Sequence, residues 1–260
     1  MAGVKALKIH AEAFTTSFRY PRIQAGALKT FEMPPPATIY GHLAGVIGDW
    51  FDPAGLRFAY HFEHEGKGLD LENRQPIEAG SGKNTKAKRG WDHPVNVECE
   101  PNPQPREFLF RPKMTLYLAG SGDQLDRFAA AFLSPHFAYV LGRSQDLASC
   151  RSARSVRLEE SRDAFFSHTL LPYEWRPWVL PGTSVMMPEA IDYRRNREAR
   201  HGRYLQVTSQ PLRVCDTTPD VISRDRLPSV LTVDPEVTRD SLDRPLHRGL
   251  HFFPVLNSLG

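Results

Sequence analysis

The chain has 260 residues, of which 40% are hydrophobic and 24% are charged, and its formal net charge is only +3, a composition typical of a globular protein with a sizeable core. No apolar run approaches the ~20 residues that a membrane span requires, and no signal-peptide core follows the first residue, so we expect a cytoplasmic protein without a membrane partner. The three cysteines form no C-x-x-C pair, so neither a disulfide framework nor a zinc knuckle is indicated.

The first sixty residues contain two strand patterns and one helix pattern. Residues 7–13 and 56–63 alternate apolar and polar side chains, which predicts two strands, the first of them half-buried. Between them, apolar residues recur at helical spacing from Ile39 to Trp50, which predicts a helix over residues 37–51. Three prolines stand directly before this segment, where a helix tolerates them.

Residues 64–106 have no periodic pattern. The segment contains glycines, prolines and a basic run with Lys83, Lys86, Lys88 and Arg89. A non-periodic stretch of this length inside a compact domain is usually functional or disordered. We interpret it as a long β-hairpin arm.

Three more elements follow the arm. Residues 114–118 predict a strand, residues 125–133 predict an amphipathic helix that Ser121 or Asp123 would cap, and residues 137–141 predict a short fourth strand. The order is then β-α-β-β-α-β. It predicts an α+β protein of the ferredoxin-like, RRM-like class, with the hairpin arm inserted between strands two and three.

The predicted elements divide the chain into two parts. Residues 1–148 would form the ferredoxin-like RNA-binding domain, including the arm. Residues 149–260 would form a smaller C-terminal region that is irregular and β-rich, with a basic loop and a proline-rich tail. One strand is expected within residues 205–214.

Cations are grouped in separate segments of this nearly neutral chain. They lie next to aromatic rings and hydroxyls, a combination that a single strand of nucleic acid would use for its phosphates and stacked bases. The group before the first helix also leads into the positive end of a helix dipole. For each segment alone, a solvated face is the alternative. The candidate RNA-binding residues are Ser17, Arg19, Tyr20, Arg22 and Lys29; Lys83, Lys86, Lys88, Arg89 and Trp91; Gly142, Arg143, Ser144 and Gln145; and Arg194, Arg195 and Arg197.

Metal and nucleophile chemistry find less support in the sequence. Residues 61–65 offer two histidines and two glutamates, but on a strand His61 and Glu63 share one face while His64 points to the other. The G-x-S-x-G pattern of a serine nucleophile is absent, and a glycine-rich stretch near Lys83 does not match a phosphate loop. We therefore predict no metal site and no cofactor.

Metal-free cleavage of RNA stays open at this point. It needs only a tyrosine, lysine or histidine near a 2′-hydroxyl, acting as general acid or base. The candidates for this role are Tyr20 or Tyr40 together with Lys29 or His42.

Three blocks of the sequence carry a family resemblance. They are Ser17-Phe-Arg-Tyr-Pro, then Met33-Pro-Pro-Pro-Ala-Thr-Ile-Tyr-Gly-His-Leu, and Leu141-Gly-Arg-Ser-Gln-Asp-Leu. Together they resemble the fifth CRISPR-associated protein family of the RAMP superfamily. The similarity covers residues 4–158, and the part up to residue 207 resembles the family's more variable second part.

The resemblance implies a non-catalytic subunit of a type I Cascade complex in antiviral defence. Such a subunit binds and caps the 5′ handle of the guide RNA (crRNA) and helps to position target DNA. The hairpin arm would be the family's thumb, and the loop from Arg19 to Lys29 and the Gly142 turn would cradle the handle. The implied protein partners are a Cascade backbone subunit and a large subunit. The variant most similar is type I-B, and both interference and RNA-guided transposition stay open.

One branch of the family is itself an endoribonuclease with a tyrosine and an adjacent lysine–histidine pair. This chain has no Lys-His dipeptide, and near the corresponding third strand it has Lys113-Met114. The departure favours a non-catalytic subunit. The alternative function is metal-independent cleavage of CRISPR repeat RNA.

Overall fold

The computed structural model describes residues 3–20, 26–74, 77–79, 96–98, 102–179, 182–215, 230–240 and 245–257. Strands dominate this part of the chain. In chain order, its elements are β1 (Val4–Ala13), β2 (Thr15–Thr16), β3 (Phe18–Arg19), β4 (Thr30–Phe31), α1 (Pro36–Ile47), β5 (Arg57–Glu63), β6 (Gly66–Arg74), β7 (Ile77–Ala79), β8 (Asn96–Glu98), β9 (Asn102–Phe110), β10 (Lys113–Ala119), α2 (Gly122–Leu133), β11 (Ala148–Ser161), β12 (Asp163–Phe166), β13 (Thr169–Pro172), a 3-10 helix (Tyr173–Trp175), β14 (Thr183–Asp192), β15 (Glu198–Val207), β16 (Leu212–Cys215), β17 (Leu231–Arg239), β18 (Leu246–Leu250) and β19 (Phe253–Pro254).

A large sheet carries the main core on one face. Its strands β11, β1, β10 and β5 are neighbours in that order, and each adjacent pair is antiparallel. Ile9, Phe62 and Leu116 from these strands pack with Leu43 of α1 and Phe128 of α2. The predicted α+β class is confirmed, with strands far more abundant than helices.

Both predicted helices are present, and each has an identifiable start. α1 begins at Pro36 and ends before Gly48, whose φ of 85° is the left-handed conformation that glycine adopts without steric cost. The helix is therefore shorter than predicted, and Trp50 lies beyond its end. α2 begins after Ser121, which forms a reciprocal capping box with Gln124.

The fourth strand predicted at residues 137–141 is wrong. That segment contains only an isolated bridge from Val140 to Leu147, and the strand next to β1 is β11. The prediction missed β11 because its exposed arginines give it the composition of a loop. In the sheet, Arg151 and Arg154 form ion pairs with Glu12 and with an acid of β17, which stabilises an otherwise polar strand. The predicted division of the chain between residues 148 and 149 falls at the start of β11, which pairs with β1, and it stays a prediction.

The second face of the large sheet is covered as well. The sheet continues from β11 through β17 and β18, so that Tyr117 and Leu158 pack with Leu250. Lys8 of β1 is only 3% exposed, and its Nζ lies 2.5 Å from Oδ2 of Asp234. The prediction of a half-buried β1 is therefore wrong, because a buried ion pair accounts for the polar residue in the alternating pattern.

The described residues of the predicted arm form an antiparallel hairpin between β5 and β10. β6 and β9 pair from Gly66↔Phe110 to Arg74↔Asn102, and β7 pairs with β8 farther along. β2 adds to β9 at the base. Residues 80–95 of the arm lie outside the described part.

A smaller core holds the C-terminal half together. β13, β15 and β14 form a three-stranded sheet, and Leu205 and Val207 pack with Trp175. The single strand expected at residues 205–214 is instead the end of β15 and most of β16, with Pro211 in the link. No helix in the described part of the chain is both long and apolar enough to cross a membrane.

Candidate nucleic-acid interface

A cleft of about 350 Å³ lies beside the first turn of α1. Its walls come from β3, α1, the turn before β11, and β14 with the loop that follows it. Arg19, Gly142 and Arg197 all line this cleft. The fold thus brings together residues from three of the candidate RNA-binding segments that are far apart in sequence.

The first turn of α1 gives the cleft a positive end of a helix dipole. Pro35 is the N-cap, no side chain caps the helix, and no acidic residue occupies its first turn. The Thr38 N–H donates to the carbonyl oxygen of Pro35 (2.8 Å), and Ala37 and Thr38 line the cleft. Because Pro36 has no N–H and the Thr38 N–H is already paired, this turn offers an anion such as phosphate the Ala37 N–H and the positive end of the dipole.

Two exposed arginines supply positive charge to the same cleft. Arg19 is exposed on β3, and Arg197 is exposed in the loop between β14 and β15. Neither forms an ion pair with a carboxylate in the described part of the chain. The Arg197 guanidinium instead lies 5.8 Å from the centre of the Tyr193 ring. Both cations are therefore available to a polyanion.

Aromatic rings extend from the cleft across the surface. The Tyr193 and Trp50 ring centres are 4.2 Å apart, and Trp50 lies nearly parallel to Tyr40 at 5.9 Å. Trp50 is 57% exposed, so part of its face is open to a stacking partner. From the sequence, Tyr193 is expected as a ring beside the basic run that starts at Arg194. Trp50 matches the helical spacing, so the sequence predicts it as core and not as a candidate.

The turn at Gly142 is built by hydrogen bonds that the sequence pattern did not indicate. Gly142 has a φ of 106°. Arg143 donates from Nε and Nη2 to the buried Asp146 (2.9 and 3.0 Å), and its Nη1 lies 3.4 Å from Asp70 of the hairpin. The hydrogen bond to Asp146 raises the pKa of Arg143. Arg143 therefore fastens the turn, and its predicted contact with RNA stays a prediction.

The residues predicted before α1 have mixed surroundings. Ser17 is buried and donates to the carbonyl oxygen of Glu107 (2.8 Å). The Tyr20 ring stacks on Phe31 at 3.9 Å, and burial raises its pKa. Lys29 forms an ion pair with Glu107 (2.6 Å). These three residues support the loop around Arg19, and none of them lines the cleft.

The remaining candidates are either on the surface or outside the described part. Four are exposed, and two of these, in the loop after β14, donate backbone N–H groups to Asp192. The exposed ones are Ser144, Gln145, Arg194 and Arg195. Those outside the described residues are Arg22, Lys83, Lys86, Lys88, Arg89 and Trp91.

The groups proposed for RNA cleavage are engaged within the fold. His42 has Nε2 3.0 Å from the Tyr139 hydroxyl and Nδ1 3.2 Å from the carbonyl oxygen of Val140. Its burial lowers its pKa to about 4. The Tyr40 hydroxyl donates to the carbonyl oxygen of Phe51 (3.0 Å). A general base needs an accessible lone pair, so this arrangement favours a binding role for the cleft.

Comparison with known proteins gives matches in structure only. No protein-family model and no curated protein matches the sequence. Over 85% of this chain and 95% of the other, the structure resembles a chain of a "CRISPR RNA-guided surveillance complex", with a TM-score of 0.51 and 15% identity.

Two other solved structures resemble it with lower scores. A "CRISPR protein from Archaeoglobus fulgidus" has a TM-score of 0.42 and 9% identity over 82% of this chain and 92% of that one. A chain of the "Type III-B Cmr-beta bound to cognate target RNA and AMPPnP" has a TM-score of 0.44 and 9% identity over 80% and 86%. The resemblance with the TM-score of 0.51 shows that the chain shares its fold with a chain of the CRISPR RNA-guided surveillance complex.

Proposed function

We propose that this chain is a non-catalytic subunit of a CRISPR effector ribonucleoprotein and that its cleft binds the guide RNA. The observation that carries the proposal is the meeting of Arg19, Arg197 and the first turn of α1 in one cleft. Guide-containing complexes read sequence by base pairing, and their proteins read backbone shape and charge. A cleft with two cations and the positive end of a helix dipole suits that second task.

A finer assignment follows from the sequence blocks and the sheet. The strand order β11-β1-β10-β5 with crossover helices is the order expected of a ferredoxin-like domain, and the hairpin occupies the place of the thumb. These features support the fifth CRISPR-associated protein family and binding of the crRNA 5′ handle in a type I Cascade, with type I-B as the subtype. The partners would be the backbone and large subunits and, through the complex, target DNA.

The test measures how salt weakens RNA binding. Arg19→Ala, Arg197→Ala and the double variant are titrated with an unstructured, dye-labelled RNA strand over a range of salt concentrations. Each lost phosphate contact should reduce the log–log slope by about 0.7, and the double variant by about 1.4. Arg127→Ala is the matched control, because Arg127 is exposed on α2, away from the cleft.

Two outcomes would contradict the proposal. Equal slopes for the double variant and Arg127→Ala would show that the cleft does not contact phosphates. A discrete cut in repeat RNA incubated with the protein in EDTA would show a metal-independent endoribonuclease, which is the alternative function. Intact RNA together with the reduced slope would support the binding subunit.

A further inference from the structure

Three potential metal ligands converge behind β5. His61 and Glu63 lie two residues apart on this strand, and His168 lies in the turn between β12 and β13. One ligand atom of each lies within 4.8 Å of the others, and the two imidazole rings are 5.2 Å apart. Strand periodicity placed His61 and Glu63 on one face, and the fold adds the third ligand from more than a hundred residues away.

The ligand atoms of these three groups are not engaged by other side chains in the described part of the chain. Within the described part of the chain, no side chain forms a hydrogen bond or an ion pair with the Glu63 carboxylate or with the ring nitrogens of His61 and His168. Glu63 contrasts with Glu65, which lies 3.5 Å from Arg111. His61 is 7% exposed and lines a small cavity together with Glu63. A cation in this cavity would bridge the three side chains.

We infer that His61, Glu63 and His168 form a binding site for a late first-row divalent cation such as Zn²⁺. Imidazole nitrogen suits this class of ion, whereas Mg²⁺ and Ca²⁺ prefer oxygen ligands. Two histidines and one glutamate leave a fourth position of a tetrahedral site for water. A cavity of about 180 Å³, lined by His61 and Glu63, adjoins the cluster and has room for that water.

The charges around the cluster limit its affinity. Lys113 stands opposite Glu63 in the β10–β5 register. The positive charge of Arg248 is close enough to interact electrostatically with both His61 and His168. These cations oppose a divalent ion, while Glu63 is the one anion of the three ligands. We therefore expect binding that is saturable and weaker than that of a closed structural zinc site.

A bound ion would join two distant parts of the chain. The backbone already links them, because the Phe62 N–H donates to the carbonyl oxygen of His168 (2.8 Å) and the His168 N–H donates to that of Thr208 (3.0 Å). His168 has a φ of 50°, which is uncommon for a residue other than glycine. The ion would hold this turn against β5. Because the ion would bind the folded protein and not the unfolded chain, it would stabilise the fold.

The experiment titrates tag-free, chelator-treated protein with Zn²⁺ by calorimetry and with Co²⁺ by visible absorption. The wild type should bind one ion per chain and give the absorption of tetrahedral Co²⁺. Glu63→Gln and His168→Asn should each bind Zn²⁺ at least tenfold more weakly. Asparagine suits the left-handed backbone at residue 168. His64→Gln is the control, because His64 instead contacts Glu32 and the Gly66 carbonyl.

Either of two results would contradict the proposed metal site. Absence of saturable binding by the folded wild type, or equal affinity in wild type, Glu63→Gln and His168→Asn, excludes it. A second readout is the thermal unfolding midpoint, which Zn²⁺ should raise in wild type and His64→Gln only. Circular dichroism of each variant without metal confirms that the lost affinity does not come from a lost fold.

Discussion

Gly142 is the residue on which the wall of the cleft depends most directly. Its φ of 106° lies in the region that favours glycine, and a Cβ there would meet Thr16 Oγ1 and lie 3.0 Å from the carbonyl oxygen of Ser17. Both neighbours belong to the sheet-forming segment before α1 and have little room to move. Gly142→Ala should therefore reduce the free energy of unfolding by about 1–3 kcal/mol in urea denaturation.

Gly45→Ala provides the matched control for Gly142→Ala. Gly45 lies inside α1, and a Cβ there meets nothing within 4 Å. Because alanine is the better helix former, this substitution should raise the stability by about 0.5–1 kcal/mol. If both variants changed stability in the same direction and by similar amounts, the argument from backbone conformation at Gly142 would fail.

Arg143 shows where a single-sequence interpretation of a residue stops. From the sequence alone, the Gly-Arg-Ser-Gln run predicts a phosphate-binding turn. Asp146, which binds Arg143 in the structure, lies only three residues after it in the sequence. Nothing in the sequence, however, indicates that the Asp146 carboxylate is buried. The second partner, Asp70, comes from the hairpin. Burial and distant contacts decide whether an arginine is free, and a local pattern reports neither.

The ion pair between β1 and β17 is the main polar contact on the covered face of the large sheet. Lys8 Nζ lies 2.5 Å from Asp234, and the Tyr117 hydroxyl donates to the same carboxylate (2.6 Å). Asp234 is 0% exposed. Lys8→Met would leave that carboxylate buried without its cation, so the free energy of unfolding should fall by about 3–5 kcal/mol.

Three further variants separate the cost of a buried, unpaired charge from the contribution of an ion pair: Asp234→Asn, its combination with Lys8→Met, and Arg151→Ala. Asp234→Asn combined with Lys8→Met removes both charges, so the double variant should lose less stability than the sum of the single losses. Arg151→Ala breaks the ion pair with Glu12, and the Arg151 side chain is 66% exposed. That loss should be much smaller than the loss in Lys8→Met, because solvent screens an exposed ion pair. Urea denaturation of all four variants under one condition measures these free energies of unfolding. A loss in the double variant equal to the sum of the two single losses would contradict the prediction.

The elements that the sequence predicted well are those with a clear periodic pattern. β5 and β10 have buried residues along nearly their whole length, yet their aromatic and aliphatic content marked them as strands. α2 had both a period and a cap. By contrast, β11 and β17 are rich in polar residues, and their place in the sheet depends on ion pairs such as Arg154 with Glu236. Such pairing across more than eighty residues leaves no local pattern.

At the scale of the whole molecule, the fold brings positive charges together in one cleft, which the small net charge of the chain does not indicate. The net charge is +3, and many arginines are neutralised by nearby acids. Arg19 and Arg197 are separated by most of the chain and yet line one cleft. The sequence identified both segments as basic, but only the packing of β14 beside α1 brings them together. If the cleft binds RNA as proposed, the affinity should depend on few phosphate contacts and therefore weaken only modestly with salt.

Buried histidines give the whole molecule a characteristic response to pH. Burial lowers the pKa of His42, in the main core, and of His251, beside Trp175, to about 4 each. In the unfolded chain these rings titrate near the ordinary value of 6.5. Between pH 6.5 and 4 the unfolded state therefore binds more protons than the folded state, and folding is favoured less as the pH falls.

Between pH 6.5 and 4, each such histidine should lower the free energy of unfolding by about 1.4 kcal/mol for every pH unit that the pH falls. Carboxylates with lowered pKa act in a separate range, because Glu32, hydrogen-bonded to His64, titrates at about 2 and loses its contribution below the ordinary carboxylate pKa of 4.5. Urea denaturation between pH ~7 and ~4.5 measures the slope of stability against pH. His42→Gln should reduce that slope by the contribution of one proton, about 1.4 kcal/mol per pH unit. The control variant His201→Gln, at an exposed position, should leave the slope unchanged. An unchanged slope in His42→Gln would mean that His42 is protonated in the folded state, and the cleft wall would then carry a positive charge near Arg19.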